Sequence, residues 1–213
     1  MDRKIEYIKQ CLLNLRIHDY YINTDYSVDV YGSVNIRNFG GYVNTIPIIF
    51  NKIYGNFYAS EIGLTTLINS PVHVDGNFDC SNNLLESLEH CPKFVGGKFK
   101  ANNNLIKSLD FFPETINSSI NLSNNKLESL VGLPRVITGD LDISYNLLEK
   151  IDVRCDISGL ISIRGNKFSK ILEDLPYEHK SELFEYGLDY NIFENGSTIN
   201  LKRLNSMLKE MNG

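Results

Sequence analysis

The side chains best suited to chemistry are scattered along the chain. The histidines are His18, His73, His90 and His179, and the four cysteines include Cys11 and Cys80. A zinc site needs paired ligands such as Cys-x-x-Cys or His-x-x-x-His, so that one turn presents both to the same ion. The chain has no such pair. His73, His90 and Cys91 come nearest to a ligand set, but they fall in successive stretches and lack further ligands. A Gly-x-x-x-x-Gly-Lys-Ser/Thr phosphate loop and a serine in a nucleophile elbow are also missing. No enzyme activity, cofactor or metal is therefore expected. The remaining chemistry is recognition by charge and ring, carried by Tyr58, Asp79, Lys98, Lys100, Asp140, Asp142 and Arg164. Whether these seven residues face one way depends on the elements that hold them.

Those elements recur. Gly55, Gly76 and Gly97 are 21 residues apart, and Gly139 follows two periods later with Ser118 in the skipped place. Two residues beyond that column stand Phe57, Phe78, Phe99, Ile120 and Leu141, and two further on Ala59, Cys80, Ala101, Leu122 and Ile143. Then come Asn83, Asn104, Asn125 and Asn146, followed by two leucine-rich columns that begin at Leu64 and Leu67. A last, shorter copy holds Ile161, Ile163, Asn166, Phe168 and Ile171. Alternating apolar residues place two side chains on one face of a short strand. The asparagine amide is expected to bond backbone groups where the chain leaves that strand. The proline column at Pro71, Pro92, Pro113 and Pro134 leaves little room for a helix, so the return path should be extended or in single 3₁₀ turns. Phe39 and Ile62 occupy the asparagine column in the first two copies, which are expected to deviate locally.

The pattern apolar-x-apolar-x-x-Asn-x-Leu-x-x-Leu resembles a leucine-rich repeat, whose copies run about 20–29 residues. The wording around "LESLxxxP" is similar to repeat proteins of tailed bacteriophages and some bacteria, over about two thirds of the chain. That resemblance implies an α/β repeat solenoid with a parallel concave β-sheet and an extended or 3₁₀ convex side. It also implies a phage-encoded protein that binds or inhibits a host protein, or else a structural component of a larger assembly such as a virion.

Three segments are expected: a cap over residues 1–29, about seven repeats over 30–175, and a helical cap over 176–213. Asp2 is placed to cap a helix whose Ile5, Ile8, Leu12 and Leu15 share a face. "HDYYINTDYSVDVYG" should form an irregular or hairpin lead into the array. Toward the other end, Pro176 opens a helix that Gly187 stops, and a second helix carries Leu201, Leu204, Leu208 and Met211 on one face. "MDRKIEYIKQCLLNL" carries charges through what an export leader keeps apolar, so free thiols in a cytoplasm are expected. The net charge of −5 argues against nucleic acid, and no stretch suggests a membrane span.

On the strands, the residue after the first inward position reads Asn35, Tyr58, Asp79, Lys100, Asn121, Asp142 and Ser162. The position before it reads Ser33, Asn56, Asn77, Lys98, Ser119, Asp140 and Leu160. Adjacent parallel strands lie about 4.8 Å apart, so Asp79 and Lys100 should offset each other. Lys98 with Lys100 forms a basic spot, and Asp140 with Asp142 an acidic one that has Arg164 beside it. The acidic pair has no lysine next to it in the adjoining outward column and is the leading candidate for docking a protein partner.

Overall fold

The computed structural model describes residues 2–40, 44–167, 172, 174–194 and 198–211. Each copy of the repeat makes one turn of a β-solenoid. Its alternating apolar pair forms a two-residue strand, such as Phe78–Asp79, that pairs in parallel with its counterparts one copy away. The result is a seven-stranded parallel sheet running in coil order from Val34–Asn35 to Ile161–Ser162, about six turns in all. Phe168 and Ile171, assigned to the last copy, lie outside the described residues.

The return path is extended, as the prolines require, but it is also paired. Phe50–Ile53, His73–Val74, Phe94–Val95 and Thr115–Ile116 build a second parallel sheet. Val136–Ile137 and Asp156–Ile157 form a separate two-stranded piece beyond it. In each coil the two strands are joined by a bend of three residues, for example 75–77 between Val74 and Phe78. A solenoid with two parallel sheets is thus a more regular object than the single-sheet array expected from the repeat.

The core runs between the sheets. Phe57, Phe78 and Phe99 have no exposed surface, and their rings stack in succession with centroids 5.7 and 5.6 Å apart. Phe112 closes the row edge-on to Phe99, where Ile120 replaces the aromatic residue of the column. Burying a side chain of this size contributes about 1.5–3 kcal/mol.

The asparagines tie each coil to the one before it. Asn104 is only 5% exposed; its Oδ1 accepts from Leu85 N at 3.0 Å. Its Nδ2 donates to Cys80 O at 3.0 Å and to Ala101 O at 3.1 Å. Asn83, Asn125, Asn146 and Asn166 repeat the arrangement. The residue before each ladder position takes a left-handed conformation, with φ of 56° at Asn82 and Asn103 and 55° at Asn124. Asparagine tolerates that region. Of the two copies without a ladder amide, only the first departs from the pattern, with a 3₁₀ turn at Ile36–Phe39. In the second, Asn83 of the next coil takes Ile62 N at 3.2 Å, Leu64 N and Ala59 O, and so holds the bend.

The glycine column belongs to the bends, not to the strands. Gly97 donates its N–H to Gly76 O at 2.9 Å, and a Cβ on it would lie 2.9 Å from Gly76 C. The column therefore faces the neighbouring coil rather than the core.

Helix α1, Arg3–Asn14, starts at Asp2, whose side chain accepts from Lys4 N at 2.9 Å. It buries Ile8, Cys11 and Leu12 and packs against the 3₁₀ turn. A hairpin, Tyr20–Ile22 with Val28–Val30, follows and adds to the edge of the second sheet. Helix α2, Tyr177–Tyr186, lies on the last strands and has Gly187 after it. Phe193–Glu194 and Thr198–Ile199 form an unforeseen hairpin before helix α3, Leu201–Met211, which packs on α2. The buried face of α3 is Leu204 and Met207; Leu201, expected on it, is exposed.

Asn104→Ala should lower the free energy of unfolding by about 1–3 kcal/mol, because it strands the buried Leu85 N–H and leaves Cys80 O and Ala101 O with only the Asn83 and Asn125 amides; urea denaturation measures this. Gly97→Val should lower the melting temperature by several degrees, on the order of 1–3 kcal/mol of overpacking against the adjoining bend. An unchanged melting curve would sink the close-approach account of that column.

Candidate functional site

The seven-stranded sheet does present the expected row outward. Tyr58, Asp79, Lys100 and Asp142 pair in register across it, and Lys98 and Asp140 lie just before two of its strands. Their side chains are not equally available, because several also support the backbone.

Asp79 shows this most clearly. Its Oδ1 accepts from Ser81 N at 3.0 Å and Ser81 Oγ at 2.6 Å. Asn121 with Ser123 and Asp142 with Ser144 make the same pair of bonds one coil apart or further. The side chain thus fastens the turn that leaves the strand. Lys100 approaches Asp79 Oδ2 at 3.9 Å, as expected, with Lys100 about half exposed. A pair of this kind contributes about 0–1 kcal/mol.

The column before the strand carries a second ladder. Asn56 Oδ1 accepts from Asn77 N, and Asn77 Oδ1 from Lys98 N, each at 2.8 Å. Ser119 Oγ accepts from Asp140 N at 3.0 Å, and Asp140 Oδ1 from Leu160 N at 2.8 Å. Asp140, read from the sequence as a surface charge alone, is therefore also a rung between coils. Its second oxygen and that of Asp142 have no protein partner among the described residues.

Asp140 and Asp142 line an open groove of about 360 Å³ together with Leu141, Leu160, Ile161, Ser162 and Lys180. Leu160 is 67% exposed there. Lys180 comes from α2, so a lysine does stand beside the acidic pair, supplied by the cap rather than by the repeats. Arg164, also exposed, neither lines the groove nor forms an ion pair among the described residues. Lys98 likewise forms none, and it is separated from the groove by the strand Ile120–Asn121.

The outer face of the second sheet holds a cluster that the sequence reading missed. Tyr31 and Tyr54 stack at 4.9 Å, and the Lys52 ammonium sits 4.3 Å over the Tyr54 ring. His73 stacks on Phe94 at 4.3 Å and meets Asp75 Oδ1 through Nε2 at 2.6 Å. Tyr54 belongs to this cluster and not to the outward row of Tyr58. The signal was present: Lys52, His73 and Phe94 each precede an inward Ile53, Val74 or Val95. His73 is thus paired with a carboxylate and a ring, while His90 lies against Glu89 at 3.8 Å. No group of three or more His, Cys, Asp or Glu among the described residues is arranged to hold a metal ion.

The cysteines are free thiols, and Cys11, Cys80 and Cys155 are buried. Burial pushes the Cys80 thiol far up, and burial, followed by the Asp156 charge, pushes Cys155 up to about 12. None of the helices among the described residues is long and apolar enough to cross a membrane.

No protein-family model matches the chain, and neither a curated protein nor a solved structure matches it.

Asp142→Ala should cost about 1 kcal/mol, while Asp142→Asn, which reproduces Asn121, should leave the unfolding midpoint in place. Equal midpoints for both variants would refute the turn-fastening role. The buried thiols stay protonated in the fold but ionise in the unfolded chain above its ordinary thiol pKa. Stability is then complete at neutral pH and falls as pH rises from about 8.5 toward 12. Thiol alkylation at pH 8 should correspondingly spare Cys80 and Cys155 until denaturant is added.

Proposed function

We propose that this chain is a leucine-rich-repeat protein of the short type and works as a non-enzymatic protein-binding module in the cytoplasm. It is read as phage-encoded, binding or inhibiting a host protein. The leucine columns and the asparagine ladder support the repeat type. The observation that carries the binding role is the groove beside the last strands. Asp140 and Asp142 are fixed there by one oxygen each, and their other oxygens remain available to an outside donor. Leu160 adds an exposed apolar contact between them and the cap. Carboxylates held on a rigid strand bind without losing much side-chain freedom. A partner segment with a basic residue next to an apolar one fits this chemistry.

A second reading is a structural part of a larger assembly such as a virion. The Tyr31, Tyr54 and Phe94 cluster on the other sheet favours it, because aromatic side chains dominate the energetics of packed interfaces.

Affinity purification from the native cell, followed by mass spectrometry, separates the two. A single soluble protein in stoichiometric amount supports the binding module, and co-sedimentation with particles supports the assembly role. The frame itself supplies the critical variant. Asp140→Asn with Asp142→Asn keeps both side-chain acceptors, as Asn56, Asn77 and Asn121 do, while removing two charges. Capture should weaken about tenfold, with the melting curve unchanged. Capture that survives this change but disappears on deleting 201–211 from an intact solenoid would move the binding surface to α3.

A further inference from the structure

Along the back of the solenoid, backbone bonds join each coil to the one before. Glu114 N reaches Lys93 O at 3.0 Å, and Asn117 N reaches Val95 O at 3.2 Å. Two coils further along, Asp156 N reaches Arg135 O at 2.8 Å, and Ser158 N reaches Ile137 O at 2.9 Å. At the step between these, the corresponding bonds are missing. The N–H groups of Arg135, Thr138 and Gly139 do not reach the carbonyls of Glu114, Ile116 and Ser118, and the second sheet is interrupted there.

The same junction is continuous on its other side. Ile120 N and Leu122 N reach Asp140 O and Asp142 O at 2.8 Å. Asn124 N reaches Ser144 O at 2.9 Å, and the Asn146 amide bridges Leu127 N and Leu122 O. Two departures from the repeat lie one step before the fault, between the coils of Gly97 and Ser118. Ser118 stands in the glycine column, where a Cβ on Gly76, Gly97 or Gly139 would come within 2.9 Å of the neighbouring backbone. Ser118 N accordingly makes no bond to Gly97 O, although Gly97 N bonds Gly76 O. Lys98 stands in the column of acceptors, and with no oxygen to offer it leaves Ser119 N without the rung that Asn77 gives Lys98; at the fault itself this column is intact, because Ser119 Oγ accepts from Asp140 N at 3.0 Å.

We propose that the solenoid is hinged at this step. One side of the junction is bonded and the other is not, so the coils beyond Ser118, with α2 and α3, tilt as a block about the seven-stranded sheet. The motion changes the angle between the Lys98–Lys100 strip and the Asp140–Asp142 groove while each keeps its internal geometry. This inference stands independently of what binds the groove.

Distances between spin labels on noncanonical residues, which leave the native cysteines intact, test it. One pair replaces Lys93 and Asp156 on the back, and the other replaces Lys100 and Ser162 on the seven-stranded face; each pair spans the junction. The back pair should give a distance distribution about twofold broader than the front pair. Ser118→Gly combined with Lys98→Asn, which restores the column residues at the preceding step, should leave it broad. Equal widths in the unmodified chain overturn the hinge, as does a double variant whose back distribution narrows to the front value, which would place the flexibility at the preceding step. Amide exchange provides a second readout: Thr138 and Gly139 should exchange about tenfold faster than Ser158 and Gly159, with Leu122 and Asn124 as slow as Ala101 and Asn103. Rapid exchange on both sides would mean a break rather than a hinge and would also refute the proposal.

Discussion

The amide of a buried asparagine bridging two coils is the interaction on which this solenoid depends. At Asn104 and its equivalents, one side chain accepts from the preceding coil's backbone and donates to carbonyls of both coils. No other side chain but glutamine carries an uncharged acceptor and two donors on one planar group, and the extra methylene of glutamine would displace them. A buried N–H left without a partner costs about 1–3 kcal/mol, and each rung satisfies one such group while sharing its two carbonyls with the neighbouring rungs. The ladder also sets how one coil sits on the next, and the rest of the fold adjusts to that spacing.

Two consequences follow from coils held this close. The phenylalanines of successive coils are forced into a stack, with centroids 5.7 and 5.6 Å apart, and the stack gives way to aliphatic side chains beyond Phe99. On the bend between the two sheets, the backbones approach so nearly that a Cβ has no room, and glycine is required. Where serine replaces it, the bond back to Gly97 is lost, and one step further on the second sheet divides. The second sheet is thereby two bonded blocks, although the seven-stranded sheet is continuous.

The surface inherits its order from the same frame. Polar side chains that a sequence pattern assigns simply to the outside do two jobs here: Asp79, Asn121 and Asp142 fasten turns, and Asn56, Asn77 and Asp140 accept from the next coil. A carboxylate can serve both purposes because it has two oxygens. That is why the acidic groove at Asp140 and Asp142 is preorganised, and why its chemistry has to be probed with asparagine rather than alanine or lysine.

The repeat was legible in the sequence because its demands are local and periodic. Inward apolar pairs, the asparagine column, the capped first helix and the helix between Pro176 and Gly187 each depend on side chains a few residues apart, or on identical neighbours one period away. The second sheet was missed although its inward Ile53, Val74 and Val95 recur: most of its strands are two residues long, and their outward residues, Lys52, His73, Phe94 and Thr115, share no chemical type. Only the stacking of coils brings those residues together, which is also why the Tyr31–Tyr54 and His73–Phe94 contacts went unforeseen. Lys180 reaches the acidic pair for a similar reason, since its helix lies far along the chain and is folded back by the packing of Leu183 and Phe184. The sequence alone determined the coil, through the period of its apolar and asparagine columns. The tertiary structure decided which polar groups remain for a partner, because hydrogen bonds between coils consume the others first.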